Sequence, residues 1–165
     1  MSAPLADVAD QLVLEVDAAL PRLLAIGAES ARPWADGKWT RKQVLGHLVD
    51  SALNNYHRVI RAQQGAELRF PDYDQRHWVD AGAYGEREWP DLVQLWSQLN
   101  RQLAHVIARV SDAALGRPCQ IGDGAPVTLE DVVRDYPRHL QHHLGQILDS
   151  EAAAGTSHPR FTESR

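Results

Sequence analysis

His139 and His143 stand four residues apart in a stretch with helical periodicity, so an α-helix stacks their imidazoles on one face, within reach of a single ion. A third imidazole, His47, lies in a separate helical stretch. Three imidazoles that leave one coordination position open are the donor set of a catalytic Zn²⁺ centre or a similar divalent site. Around the pair, Leu129, Val132, Val133, Leu140, Leu144 and Ile147 share one arc of the helix. That arc contains His143, has His139 at its edge, and turns His142 outward. Histidines so placed also occur as hydrogen-bonded core residues, and the pair alone does not separate the two readings. Pro137, two residues before His139, removes a backbone donor and can bend the helix there.

His47 is less decided. Its helix carries an apolar arc of Val44, Leu45, Leu48, Val49, Ala52, Tyr56, Val59 and Ile60, centred almost opposite to it. His47, Ser51, Asn54 and Arg58 instead make a polar stripe at i, i+4, i+7 and i+11. Such a stripe is either a solvated face or the lining of a polar cavity between helices, and Gly46 beside it permits close backbone approach.

These residues need helices to position them, and four segments qualify. The first spans about residues 4–26, with Leu5, Val8, Leu12, Val16, Leu20 and Leu23 on one stripe; Pro21 is expected to kink its last turn or end it early. The second starts at Thr40, where Thr40 and Gln43 form a capping box, and ends near Gly65. The third spans about residues 90–110, with Leu92, Leu95, Trp96, Leu99, Leu103, Val106 and Ile107 inward. The fourth starts at Thr128 with a second capping box, Thr128 to Asp131, and runs to about residue 154. The expected architecture is all-α, a four-helix bundle in residues 1–155 followed by a flexible tail, 156–165.

More than twenty residues between the second and third helices lack clean periodicity and include Phe70, Tyr73, Asp74, His77 and Trp78. So long a connection suits a crossover between helices that are not hairpin neighbours, and its aromatic content argues against disorder. Tyr73, Asp74 and Trp78 either roof the site or, with Phe70, merely anchor the crossover. Residues 118–127 suit a tight turn between two short extended arms.

Composition bounds the function. At 165 residues with 44% hydrophobic and 24% charged residues, the chain can bury one core without disulfides. A net charge of −5 with scattered basic residues argues against a nucleic-acid surface. There is no apolar run long enough for a bilayer and no signal-peptide pattern, and Cys119 is the only cysteine. A cytoplasmic protein with no membrane partner is expected.

Three stretches in order, 39–51 (Trp39, Gly46, His47, Asp50), 73–78 (Tyr73, Asp74, Trp78) and 139–147 (His139, His142, His143, Gln146), together resemble the DinB/YfiT-like superfamily. The likeness covers nearly the whole chain. It implies a four-helix bundle that holds one divalent metal, zinc, nickel or similar, through His47, His139 and His143. It also implies thiol S-transferases, in which a low-molecular-weight thiol such as bacillithiol or mycothiol attacks a small electrophile, and metal-dependent hydrolases as an alternative. A third reading is a non-catalytic, metal-stabilised, stress-associated binding protein, and a homodimer is expected.

Leu140 follows His139, so the H-E-x-x-H hydrolase signature and its Glu base are missing. No Glu stands three residues before any of the eight histidines, which excludes the E-x-x-H pairs of di-iron bundles. A thiolate held at the metal needs no general base, so these departures favour thiol transfer. Ser51, Asn54, Arg58, Tyr73 and Trp78 are the candidate cofactor-binding residues, with Arg58 suited to a carboxylate on the thiol.

Overall fold

The structure, a computed structural model, describes residues 4–149. The expected final helical turns to residue 154, the 156–165 tail and His158 lie outside the described residues. In chain order the elements are α1 (Ala6–Ile26), α2 (Arg41–Ala62), β1 (Leu68–Phe70), α3 (Gln75–Gly82), α4 (Trp89–Ile107), α5 (Asp112–Leu115), β2 (Pro118–Ile121), β3 (Val127–Thr128) and α6 (Leu129–Leu148). The four long helices are the expected bundle.

Local chemistry sets their starts. The Thr40 side chain accepts from the Gln43 backbone N–H while Gln43 reaches back to the Thr40 N–H, and Thr128 and Asp131 do the same for α6. Pro21 does not end α1, which continues to Ile26. Its missing N–H costs one intrahelical bond, and burial of Val16, Ala19 and Leu23 holds the turn in place. Leu95 and Ile60, expected inward, sit at the borders of their apolar arcs and are each 37% exposed.

α1 and α2 each pack along α4 and α6, which gives the order α1–α4–α2–α6 around the bundle. Helix direction follows from contacts at the ends. Trp89 Nε1 at the start of α4 donates to the Leu23 carbonyl near the end of α1, and Lys42 at the start of α2 donates to the Arg87 carbonyl just before α4. Arg41, also at the start of α2, donates to the Ile147 carbonyl at the end of α6. Thus α2 and α4 run parallel, and α6 runs against both. Parallel neighbours cannot be joined by a hairpin, so the chain must travel back along the bundle between them.

That crossover is more ordered than its sequence suggests. β1 pairs in parallel with β2 (Leu68↔Cys119, Phe70↔Ile121), and β2 pairs antiparallel with β3 (Pro118↔Thr128). The extended arms at 118–127 are therefore two strands of a small three-stranded sheet. α3 starts where the Asp74 side chain accepts from the His77 N–H, an N-cap.

Candidate metal centre

Helix α2 is buried on nearly all sides, against α4, α6 and the crossover. This decides the open question about its polar stripe: His47 is fully buried, Ser51 is 4% exposed and Asn54 5%. The stripe faces the interior. Because α6 runs against α2, its C-terminal half lies beside the N-terminal half of α2, which brings His139 and His143 to His47.

The three imidazoles offer ligand nitrogens that all lie within 4.8 Å of one another. His47 Nε2 and His139 Nε2 are 3.3 Å apart. Two nitrogens bound tetrahedrally at usual Zn–N lengths stand about 3.3 Å apart, so the spacing suits joint ligation. Hydrogen bonds turn the rings appropriately. His143 Nδ1 donates to Gln146 Oε1 at 2.7 Å, and His139 Nδ1 lies 3.4 Å from the Ser51 hydroxyl, which leaves Nε2 of each ring for an ion. His47 is packed by the Trp39 ring at 5.6 Å, and its Nδ1 is buried without a partner.

Burial pushes the His47 pKa down to about 3, with the nearby His143 adding to it. His139 is lowered to about 3 by burial and then by its histidine neighbours and Arg58. His143 is lowered to about 4 by burial, against the Gln146 hydrogen bond. All three are therefore neutral at physiological pH, the form that binds metal. Among the described residues no carboxylate hydrogen-bonds to any of them. His142 is exposed and lies 3.4 Å from Gln146 Nε2, on the outer side of α6 as expected.

The other candidates divide. Ser51 touches His139 directly. Arg58 stacks on Phe70, with its guanidinium carbon 5.5 Å from the ring centroid, and is close enough to disfavour a charge on His139. Its Nε is buried without a partner, and burial lowers the guanidinium pKa. Asn54, Tyr73 and Trp78 line a neighbouring cleft of about 450 Å³. Tyr73 and Trp78 stack on each other, centroids 5.0 Å apart, and burial pushes the Tyr73 hydroxyl up to about 12. Asp74 serves as the cap of α3. Cys119 is buried in β2 with its thiol on the Arg117 carbonyl.

Two residues escaped the sequence reading. Asp50, 3% exposed, accepts a 2.5 Å hydrogen bond from the Tyr84 hydroxyl, and its second oxygen is buried without a partner. Burial raises the carboxyl to about 6, partly offset by that bond. The Tyr84 ring lies on Gly46, where any Cβ would overlap it. Gly46 and Gly82, the two glycines this ring covers, were the available signal.

Comparison with known proteins agrees with this fold. Residues 11–147 match the profile of the DinB superfamily. YfiT of Bacillus subtilis, named as a proposed metal-dependent hydrolase, is 25% identical over 150 residues, spanning 89% of this chain and 84% of YfiT. A similarly named protein of Halalkalibacterium halodurans is 26% identical over 121 residues, spanning 72% of this chain and 69% of its own. The solved structure of YfiT, described as an unusual four-helix bundle, superposes with a TM-score of 0.77 at 24% identity, covering 95% of this chain and 91% of that one. No described helix is long and apolar enough to cross a membrane.

Proposed function

The chain belongs to the DinB superfamily, and from that premise we propose that it is a divalent-metal-dependent enzyme that transfers a low-molecular-weight thiol to a small electrophile. His47, His139 and His143 would hold the ion. Once bound, the ion would lower the pKa of a thiol or a water and so supply a nucleophile near neutral pH.

The observation that carries the choice of thiol is Leu140 beside His139, the place where an H-E-x-x-H hydrolase has its Glu base. A hydrolase ordinarily needs a base within hydrogen-bond reach of the attacking water, and no carboxylate stands directly beside His139 or His143 in α6 to supply one. A thiol, much more acidic than water, needs no such base. Ser51 and Gln146 orient two of the rings. Arg58, with an unpartnered buried Nε and no ion pair among the described residues, supports a role in binding a carboxylate of the thiol.

Hydrolysis is the second reading, favoured by the names of the relatives in Bacillus subtilis and Halalkalibacterium halodurans. The two separate cleanly. Metal-loaded protein is given a chlorinated or epoxide electrophile with and without thiol. The transferase forms a thioether only when thiol is present; a hydrolase forms its product regardless. If neither product forms with any common cellular thiol, the chain is a metal-stabilised binding protein.

A further inference from the structure

The cleft beside the imidazoles has a chemical character of its own. At its floor is Asn54, 5% exposed, whose Nδ2 donates to the Asp50 carbonyl at 2.9 Å. A carbonyl only accepts, so the amide orientation is fixed, and Oδ1 is left as the acceptor without a protein donor. One wall is Trp78, 38% exposed and stacked on Tyr73. An aromatic face open to a concave surface is the usual lining of a small-molecule site.

The rim carries Asp72 and Asp74. Each uses one oxygen on a backbone N–H, that of Tyr73 (2.8 Å) and that of His77 (3.0 Å). Neither takes part in an ion pair among the described residues, and no Lys or Arg lines the cleft. His57 also lines it and can donate or accept. Arg58 is engaged on Phe70 and is not part of the lining. It lies close enough to Asp72 and Tyr73 for its charge to act on both, so it offsets part of the rim's negative charge and leaves an excess of one carboxylate. Acceptors at floor and rim, an aromatic wall and no lining cation complement an apolar body that carries a positive, hydrogen-bond-donating group.

Asn54 lies on the same stripe as His47, seven residues on, which is about 10 Å along the helix axis, with Ser51 between them. We propose that this cleft holds the non-reacting end of the substrate, an apolar ring or chain bearing a protonated amine about 10 Å from the reacting atom. This rests on the imidazole cluster being the reacting end.

Three probes that share one ring test it: benzylamine, benzyl alcohol and benzoate, titrated into the full-length protein as purified and followed by the backbone amide signals of Asn54, Tyr73 and Asp74 in ¹H–¹⁵N spectra. Benzylamine is expected to bind about tenfold tighter than benzoate, with benzyl alcohol between. Trp78→Ala should weaken benzylamine about tenfold, Trp78→Phe much less, and Leu14→Ala, 68% exposed on α1, not at all. Metal content is measured on the same samples. Loss of metal with these shifts intact would overturn the catalytic reading alone. Equal or tighter binding of benzoate, or binding that ignores Trp78→Ala, would overturn the amine proposal.

Discussion

The imidazole cluster and the adjoining cleft come from different kinds of structure. The cluster sits on two long bundle helices, with His47 fully buried and His139 and His143 half-buried, and hydrogen bonds with neighbouring side chains orient two of its rings. The cleft is half crossover: its aromatic wall and acidic rim hang on three-residue β1, the loop after it and eight-residue α3. Rigid helices suit atoms that must converge to within ångströms, and a crossover segment suits contacts that choose a ligand. Stability and metal retention should therefore respond to changes in the helices, and ligand choice to changes in the crossover.

The sharpest break of that contrast is at the ligands. His139→Ala or His143→Ala should remove stoichiometric metal, whereas His142→Ala, one position from His143, should retain it, as elemental analysis would read. Retention by His143→Ala would place the ion elsewhere.

Acid should act next most strongly, on the same region. Folded, the three imidazoles are held at about 3 to 4, well below their usual 6.5. The unfolded chain therefore takes up protons first, and stability present above about 6.5 is lost as pH falls towards 3 to 4. Asp50 has the opposite sign: raised to about 6, it favours the folded state at low pH and loses that contribution as pH rises through 6. Three lowered imidazoles outweigh one raised carboxyl, so metal-free protein should melt at lower temperature with each step down from pH 6.5. A melting temperature flat from pH 7 to pH 4 would show that the imidazoles are not desolvated.

Gly46→Ala joins the two regions, because its Cβ would overlap the Tyr84 ring that ties the crossover to α2. A loss of roughly 1–3 kcal/mol is expected in denaturant unfolding. Tyr84→Phe, which leaves the Asp50 carboxylate with neither oxygen partnered, should cost about 1–3 kcal/mol as well. The smallest effects belong to the orienting groups. Gln146→Ala should lower metal affinity about tenfold in competition with a chelator, and Ser51→Ala, whose contact is longer, by less.

What the sequence made legible was what local rules govern. Thr40 with Gln43 and Thr128 with Asp131 marked both ligand-bearing helices, and the four-residue spacing put His139 and His143 on one face. His47 was not legible from its own helix, because periodicity assumes one buried side and α2 is buried on nearly all of them; the family resemblance supplied it. The sheet was hidden because β1 meets β2 across about fifty residues of chain, a pairing that no local pattern encodes. The cap at Asp74 was readable and would have given α3, while the contact of Tyr84 with Asp50 exists only in the tertiary structure.

Native mass spectrometry of untagged protein, with elemental analysis of the same preparation, tests the central claim most directly. One divalent ion per chain, retained through pH 6.5 and released as pH falls towards the folded imidazole range of about 3 to 4, is the predicted result, and the same spectrum counts the chains in the assembly. A folded chain that carries no ion at neutral pH with divalent metal supplied, or one whose ion stays bound with the three imidazoles protonated, would contradict it.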